Sequence, residues 1–283
     1  MKLLEYLNKA KNEKWVMGQF NFSTLEQLKG IISAAENLSS PLILGTSESE
    51  SEFLGLKQIL ALVSTFREET GLPVFLNLDH GKNLDYIRKA IDFGYDSVHF
   101  DGSELSLSDN IKITKELVDY AKKNNVFLEG EVGHLKGSSE LHKEKAKIEK
   151  GGLTEVNDAE KFVKETGVDS LAVAIGNIHG VYAEMPEFDF ERLRKIREKL
   201  ELPLVLHGGS GFPKEEIKKI VKAGISKINI NTELRIAWRN CLEKSLKENS
   251  QEVRPYIILS SISEAIQKVV EEKIKLFGSE KKA

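Results

Sequence analysis

Short apolar runs alternate with longer amphipathic stretches along the whole chain, and this unit repeats eight times. In each unit, a run typical of a buried strand is followed by a polar residue or Gly and then by apolar residues at helical spacing. The eight runs predict strands at Trp15–Phe20, Leu42–Gly45, Val74–Leu78, Ser97–Phe100, Val126–Glu129, Leu171–Ile175, Leu204–Leu206 and Lys227–Ile230. Helices are predicted between them, among others at Asn83–Phe93, Leu107–Lys123, Phe188–Leu200 and Pro213–Ala223.

This order of elements predicts a parallel sheet whose faces are covered by helices. Eight strand–helix units favour a closed (β/α)8 TIM barrel, with a doubly wound open sheet as the alternative. The open sheet is less favoured because no Gly-x-Gly-x-x-Gly follows the first strand. A chain of 283 residues fits one barrel domain, and we expect residues from about 233 to 280 to form a C-terminal helical extension.

Composition and charge narrow the class of protein further. The chain has 41 Lys plus Arg against 44 Asp plus Glu, with the basic residues scattered, so we expect no nucleic-acid or membrane partner. The single cysteine, Cys241, allows neither an internal disulfide nor a thiolate metal site. No apolar run approaches signal-peptide or membrane-span length, so we expect a cytoplasmic protein.

Polar residues follow nearly every predicted strand. Barrel enzymes keep their chemistry at the C-terminal ends of their strands, so these positions predict one distributed site. They are Asn21, Ser47, Asp79, His80, Asp101, Glu131, Asn177, His179, His207, Asn229 and Asn231.

Three histidines at this predicted rim, His80, His179 and His207, each directly precede a glycine. Neutral imidazoles that converge at one mouth suit Zn²⁺ or a similar divalent ion. A histidine that stood alone at the rim would be interpreted as a structural residue. The other three histidines of the chain are interpreted as structural: His99 as a core residue within a strand, and His134 and His142 as loop residues.

The acidic residues near these histidines leave several roles open. Asp79 could orient the neighbouring ligand, bind the metal itself, or act as a general acid and base. Asp101 and Glu131 could hold the metal in an alternative position, hold a second one, or cap helices and form salt bridges at the rim. The acidic run Ser47–Glu52 is predicted to be a solvated loop, in which only Ser47 lies close enough to the rim to contact a ligand.

Two loops complete the predicted site. Gly208, Gly209 and Ser210 follow strand seven, and the segment 229–232 follows strand eight, which together suit an anion such as phosphate. The longest gap between strands, from about Glu131 to Leu171, predicts a mobile lid, with a surface insertion as the alternative.

Six motifs in this order resemble those of class II, metal-dependent ketose-bisphosphate aldolases of the fructose-bisphosphate and tagatose-bisphosphate type. They are Asn77–Gly81, Phe100–Ser103, Gly130–Gly133, Ala174–Gly180, Leu206–Gly211 and Lys227–Glu233. The resemblance extends from Gly18 to about Arg254.

The resemblance implies reversible cleavage of fructose 1,6-bisphosphate, or next of tagatose 1,6-bisphosphate, to dihydroxyacetone phosphate and glyceraldehyde 3-phosphate. A zinc ion on His80, His179 and His207 would stabilise the enediolate. Asp101 and Glu131 would serve an alternative or second metal position. A second divalent ion or a monovalent cation, Na⁺ or K⁺, would be a further cofactor. Asp79 would act on the C4 hydroxyl, and Glu140 would move the C3 proton, although the lid around Glu140 departs from the family pattern.

The resemblance also implies substrate contacts and an oligomer. Substrate would be bound by Asn21, Ser47, Gly180, Gly208, Gly209, Ser210, Asn229, Ile230, Asn231, Thr232 and Arg254. Arg254 would reach the far phosphate from a neighbouring subunit, which implies a homodimer or homotetramer. Two other readings remain open: a Schiff-base aldolase that uses Lys227 or Lys82, and a catalytically silent barrel that binds sugar phosphates.

Overall fold

The computed structural model describes residues 2–134, 137–138, 140–145 and 152–283. Within them, eight parallel strands form a closed barrel, in which β1 pairs with both β2 and β8. The strands are β1 Met17–Asn21, β2 Leu42–Ser47, β3 Val74–Gly81, β4 Ser97–Phe100, β5 Phe127–Val132, β6 Ser170–Val173, β7 Leu204–Leu206 and β8 Ile225–Ile230. The predicted TIM barrel is therefore confirmed, and the open sheet was the wrong alternative.

Helices form the outer layer around these strands. They are α1 Leu3–Glu13, α2 Leu25–Leu38, α3 Glu48–Leu54, α4 Leu56–Thr70, α5 Leu84–Phe93, α6 Leu107–Lys123, α7 Val156–Thr166, α8 Phe190–Lys199, α9 Lys214–Lys222, α10 Thr232–Glu248, α11 Pro255–Ile258 and α12 Ile262–Phe277. Their apolar faces pack on the outside of the sheet to form one large core. The four helices predicted explicitly are present, with ends within two residues of the prediction.

The two ends of the barrel differ. A second apolar cluster, built around α1 and the starts of β1 and β2, covers the N-terminal end of the strands. Its buried members are Leu3, Tyr6, Leu7, Ala10, Trp15, Met17 and Ile43. The C-terminal ends of the strands carry the polar residues that the sequence singled out, so the chemistry belongs to that end.

The last helix of the predicted C-terminal extension, α12, is part of the outer layer of the barrel. Helix α12 packs against α2, α9 and β1, and its residues Ile266, Val270 and Ile274 are part of the main core. It therefore occupies the place in the outer ring that follows β8. Among the described residues, no helix is both long enough and apolar enough to span a membrane.

The acidic run after β2 forms a helix, α3, so its prediction as a solvated loop was wrong. Ser47 caps this helix by accepting a hydrogen bond from the Glu50 backbone, while the Glu50 side chain accepts one from the Ser47 backbone. This reciprocal arrangement stabilises a helix start although the following residues are charged. Glu50 is consequently buried, with 7% of its surface exposed.

Candidate active site

The end of β3 departs from regular strand geometry. β3 pairs with β4 in register up to Leu78, and the register shifts before pairing resumes at Gly81. His80 lies in this stretch and has a left-handed backbone, with a φ of 52°. Such a conformation costs a non-glycine residue roughly 1–3 kcal/mol and is concentrated at functional sites. Regular alternation would point Asp79 and His80 to opposite faces, whereas here both reach the same cluster.

The imidazole rings of His80 and His207 face each other across the barrel mouth. Because carboxylates only accept, His80 Nδ1 donates to Asp101 Oδ2 at 3.0 Å and His207 Nε2 donates to Glu129 Oε1 at 2.7 Å. The remaining nitrogens, His80 Nε2 and His207 Nδ1, lie 2.8 Å apart. Two lone pairs repel at this distance, so the contact requires a cation or a shared proton. These rings therefore fit a divalent metal ion.

The electrostatics of the cluster favour positive charge at this point. Burial lowers the pKa of His80, but Asp79, Asp101 and Glu131 outweigh it and raise the pKa to about 9. Burial and the neighbouring imidazoles hold the pKa of His207 below its usual value. A metal ion that binds here would displace a proton from His80.

His179 lies beside this pair. Its ring centroid is 4.7 Å from that of His80 and 6.5 Å from that of His207. Burial, and then the charge on His80 and His207, hold the pKa of His179 well below its usual value, so the ring is neutral, as a ligand must be. Within the described residues, donor atoms of Asp79, His80, His99 and His207 all lie within 4.8 Å of one another, and His179 is not part of this group. Of the three predicted ligands, His179 is thus the most peripheral.

Asp79 is anchored on both of its carboxylate oxygens. Asn21 Nδ2 donates to Oδ2 and Asn229 Nδ2 donates to Oδ1, each at 2.9 Å. Burial raises the pKa of Asp79, but electrostatic interaction with His80, His207 and Lys227 outweighs it and leaves the pKa well below the usual range. Asp79 is therefore an oriented carboxylate that can accept a proton.

The remaining polar and charged residues at the barrel mouth fall into two groups, which we call the inner and the outer group. The inner group consists of Glu129, Ser170 and Lys227. Glu129 accepts from Lys227 Nζ at 2.8 Å and from Ser170 Oγ at 3.3 Å, in addition to His207. Burial raises the pKa of Glu129, but Lys227 and His207 lower it well below the usual range. Each partner of this ion pair is 2% exposed, so the Lys227 amine is enclosed and held by Glu129.

The outer group consists of His80, His99, Asp101 and Glu131. Donor atoms of His80, Asp101 and Glu131 lie within 4.8 Å of one another. His99 Nε2 lies 3.1 Å from Glu131 Oε2, at angles that do not form a hydrogen bond. Neither of these two buried atoms has a hydrogen-bond partner among the described residues. The structure therefore brings Asp101 and Glu131 to the metal cluster, as a second or alternative ion position requires.

Most residues of the predicted anion cradle lie together beside the cluster. A small pocket is lined by Asp79, His80, His179, Gly180, Gly208, Ser210, Asn229, Asn231 and Thr232. Helix α10 starts at its wall; the side chain of its N-cap residue Asn231 does not cap it, and the Glu233 backbone N–H donates to Ser210 Oγ at 3.4 Å. Gly208 is required here because a Cβ would lie 2.3 Å from the carbonyl oxygen of Ile178. Ile230 is fully buried and can contribute only through its backbone.

Glu50 connects this cradle to Asp79. Its Oε1 accepts from Asn231 Nδ2 at 3.2 Å and from Arg235 at 2.7 Å, and its Oε2 accepts from Asn21 Nδ2 at 3.2 Å. The amide of Asn21 is thereby held between Glu50 and Asp79. Ser47 therefore acts here as the cap that places Glu50, besides lying at the rim.

The remaining predicted residues lie farther out. Glu140 is exposed, and its backbone oxygen accepts from Val181, next to the segment that carries His179. Arg254 is exposed and paired with Glu252, with NH2 to Oε2 at 2.6 Å. Lys82 is exposed and paired with Glu104. The predicted lid falls partly outside the described residues, at 135–136, 139 and 146–151.

A sequence profile described as "Fructose-bisphosphate aldolase class-II" matches residues 1–282. The chain belongs to this class II aldolase family. It is 39% identical over 282 residues to a 6-phospho-5-dehydro-2-deoxy-D-gluconate aldolase of Bacillus subtilis (strain 168), covering 99% of this chain and 96% of that one. It is 37% identical over 283 residues to a fructose-bisphosphate aldolase of Geobacillus stearothermophilus, covering 99% and 97%.

Solved structures agree with this assignment. The crystal structure of the YdjI aldolase from Escherichia coli K12 matches with a TM-score of 0.85 and 32% identity, covering 100% of this chain and 98% of that one. The resemblance inferred from the six motifs is thus confirmed, and this class II aldolase is a carbon–carbon lyase. Its family is generally metal-dependent, in agreement with the His and Asp cluster. The relatives differ in substrate, so the family alone leaves the sugar open.

Sequence reasoning missed three residues of this site. His99 was read as core, and it is fully buried, but it also contacts the rings of His80 and His207. Glu129 was taken only as a strand end; its spacing of two residues from Glu131 on β5 was the available signal, because such residues share a face. Glu50 could have been found from the capping-box pattern Ser-x-x-Glu that begins at Ser47.

Proposed function

We propose that this class II aldolase catalyses reversible aldol cleavage of a ketose 1,6-bisphosphate to dihydroxyacetone phosphate and glyceraldehyde 3-phosphate. Fructose 1,6-bisphosphate is the first substrate to test and tagatose 1,6-bisphosphate the second. The observation that carries the proposal is the anchored carboxylate of Asp79 beside the converging nitrogens of His80 and His207, next to an anion cradle.

His80, His179 and His207 are proposed to hold a catalytic zinc ion, with Asp101 and Glu131 available to a second divalent or a monovalent cation. When bound, the divalent ion supplies Lewis-acid polarisation of the substrate's C2 carbonyl. The protein orients its ligands through the bonds from His80 to Asp101 and from His207 to Glu129.

Asp79 is proposed to take the proton from the C4 hydroxyl in cleavage and to return it in condensation. Its low pKa keeps it ionised, and Asn21 and Asn229 fix the direction in which it accepts. Glu140, which lies in the predicted lid, is proposed to transfer the proton at C3.

Substrate positioning completes the proposal. Gly180, Gly208, Gly209, Ser210 and the segment 229–232 would hold the phosphate of the dihydroxyacetone half. Asn21 and Ser47 would contact the remainder of the sugar. Arg254 would reach the second phosphate in a neighbouring subunit of a homodimer or homotetramer, and we place the enzyme in the cytoplasm and in glycolysis.

One assay separates the parts of this proposal. Triose-phosphate release would be measured from both sugar bisphosphates and from 6-phospho-5-dehydro-2-deoxy-D-gluconate, with and without a chelator, for the wild type and Asp79→Asn. We expect chelation to abolish activity and Zn²⁺ to restore it, and Asp79→Asn to lose about 10²- to 10⁴-fold in kcat.

Three results would contradict it. Activity that survives chelation, with borohydride trapping of substrate on Lys227, would support the Schiff-base reading. Chelator sensitivity with an active Asp79→Asn would keep the metal and remove Asp79 from its role. No product from any of the three sugars would support a silent sugar-phosphate-binding barrel.

A further inference from the structure

His99 is a fully buried polar residue on β4 that the proposed mechanism leaves without a task. Its ring centroid lies 4.9 Å from that of His80 and 4.6 Å from that of His207. A buried imidazole that only fills space would be more costly than an apolar side chain of similar size, because its polar atoms must be satisfied. Its hydrogen bonds therefore indicate what it does.

His99 makes one hydrogen bond that its surroundings define without ambiguity. The backbone N–H of His80 donates to His99 Nδ1 at 3.1 Å. A backbone N–H can only donate, so Nδ1 must carry a lone pair. A neutral ring then carries its proton on Nε2, which faces Glu131 Oε2 at 3.1 Å.

This proton assignment excludes His99 as a metal ligand, although its donor atoms lie within 4.8 Å of those of Asp79, His80 and His207. Nδ1 already uses its lone pair on the His80 backbone, and Nε2 carries the proton. Ligation would need an imidazolate or the loss of the bond to His80. Proximity alone therefore misassigns this residue.

The bond from His80 has a specific structural reason. β3 and β4 pair at Leu78 with Val98 and again at Gly81 with Phe100, so the backbone between these pairs leaves the regular ladder. A buried backbone N–H without a ladder partner must find another acceptor, and His99 supplies it from a side chain. The bond acts on the one residue of this turn that has a left-handed backbone.

We propose that His99 is a positioning residue: it accepts the backbone N–H of His80, holds the left-handed conformation there, and so aims the His80 ring at the metal ion. The Glu131 carboxylate, 3.1 Å from the protonated nitrogen, favours this ring orientation electrostatically. This inference rests on the proposed metal site, since it concerns how well His80 is placed to bind an ion.

Two matched variants test it. In His99→Asn, the amide oxygen can occupy the place of Nδ1 and still accept from His80. In His99→Gln, the amide is one methylene farther out, near the place of Nε2, and this acceptor is lost. Both are polar and neutral, so they differ mainly in the bond to His80.

The measurement is the dissociation constant of Co²⁺, obtained by competition with a chromophoric chelator, together with the visible spectrum of the bound Co²⁺. We expect His99→Gln to weaken Co²⁺ binding by about 10- to 100-fold, as is usual when a partner that orients a ligand is lost. His99→Asn should recover most of the lost affinity and keep the wild-type spectrum. Denaturation midpoints of the metal-free variants check that both are folded.

Each contrary outcome has a definite meaning. Wild-type Co²⁺ affinity in His99→Gln, or equal losses in both variants, would overturn the proposed bond-specific role. A changed Co²⁺ spectrum in His99→Asn would show that His99 itself ligates the ion, which would also overturn it. A wild-type chain that binds no Co²⁺ would instead remove the proposed metal site, and this inference with it.

Discussion

The inner and the outer group both lie at the barrel mouth, but they differ in how many hydrogen-bond partners their buried carboxylates have. Each contains one glutamate of β5, Glu129 in the inner group and Glu131 in the outer group, two residues apart on the same face. Glu129 accepts from His207, Lys227 and Ser170. Glu131 Oε2 has no hydrogen-bond partner among the described residues.

This difference distinguishes, within one strand, a carboxylate that the protein partners fully from one that it leaves partly unpartnered. The protein itself completes the inner group, where a lysine offsets the carboxylate and the imidazole fixes the remaining oxygen. The outer group leaves donor atoms that a cation would complete, and its polar atoms are costly to bury until it does. Glu129 and Glu131 are almost equally buried and lie on the same strand. The two carboxylates therefore differ in their hydrogen-bond partners rather than in burial.

The largest effect is expected from breaking the inner ion pair. Lys227→Met leaves the Glu129 carboxylate buried without its counter-charge, and we expect the free energy of unfolding to fall by about 3–5 kcal/mol. Chemical denaturation of the metal-free protein measures this change.

The matched control is the double variant Glu129→Gln with Lys227→Met, which removes both charges but keeps an acceptor for His207. It should regain more than half of the lost stability. If the double variant were no more stable than Lys227→Met alone, packing rather than charge would hold the inner group together, and the comparison would lose its physical basis.

The prediction of this site from sequence succeeded where strand order decides and failed where local backbone geometry decides. Barrel closure brings every strand end to one mouth, so the placement of Asp79, His80 and His207 followed from the order of apolar runs alone. The left-handed turn at His80 depends on a register shift between β3 and β4, which no spacing in the chain encodes. The role of His99 follows from that turn and was therefore out of reach.

The acidic run shows a second kind of failure. Its charges predicted a solvated loop, because isolated carboxylates are rarely buried. In the structure, Ser47, Asn21 and Arg235 supply donors to Glu50 from three different elements. Only the folded barrel brings these donors together, although the capping-box pattern alone could have predicted the helix.

A smaller effect of a different kind is expected in the outer group. Glu131→Gln removes a buried charge whose Oε2 has no hydrogen-bond partner among the described residues, so the metal-free protein should keep its stability or gain about 1 kcal/mol. Divalent metal binding should nevertheless weaken, by about 10- to 100-fold. Denaturation of the metal-free protein and chelator competition give the two numbers separately. A loss of stability as large as that of Lys227→Met would place Glu131 with the inner group.

The smallest effect is expected at Glu50, which extends the comparison to helix α3. Its carboxylate is fully partnered, as in the inner group, but Arg235 is 44% exposed, so solvent screens the pair. Because glutamine can still cap α3, we expect Glu50→Gln to reduce the free energy of unfolding by only about 1 kcal/mol. Glu52→Gln, exposed on the same helix, is the control and should change it by less than about 0.5 kcal/mol. If Glu50→Gln left stability unchanged but altered KM, Glu50 would act on the substrate, and full partnering would no longer distinguish structural from functional carboxylates here.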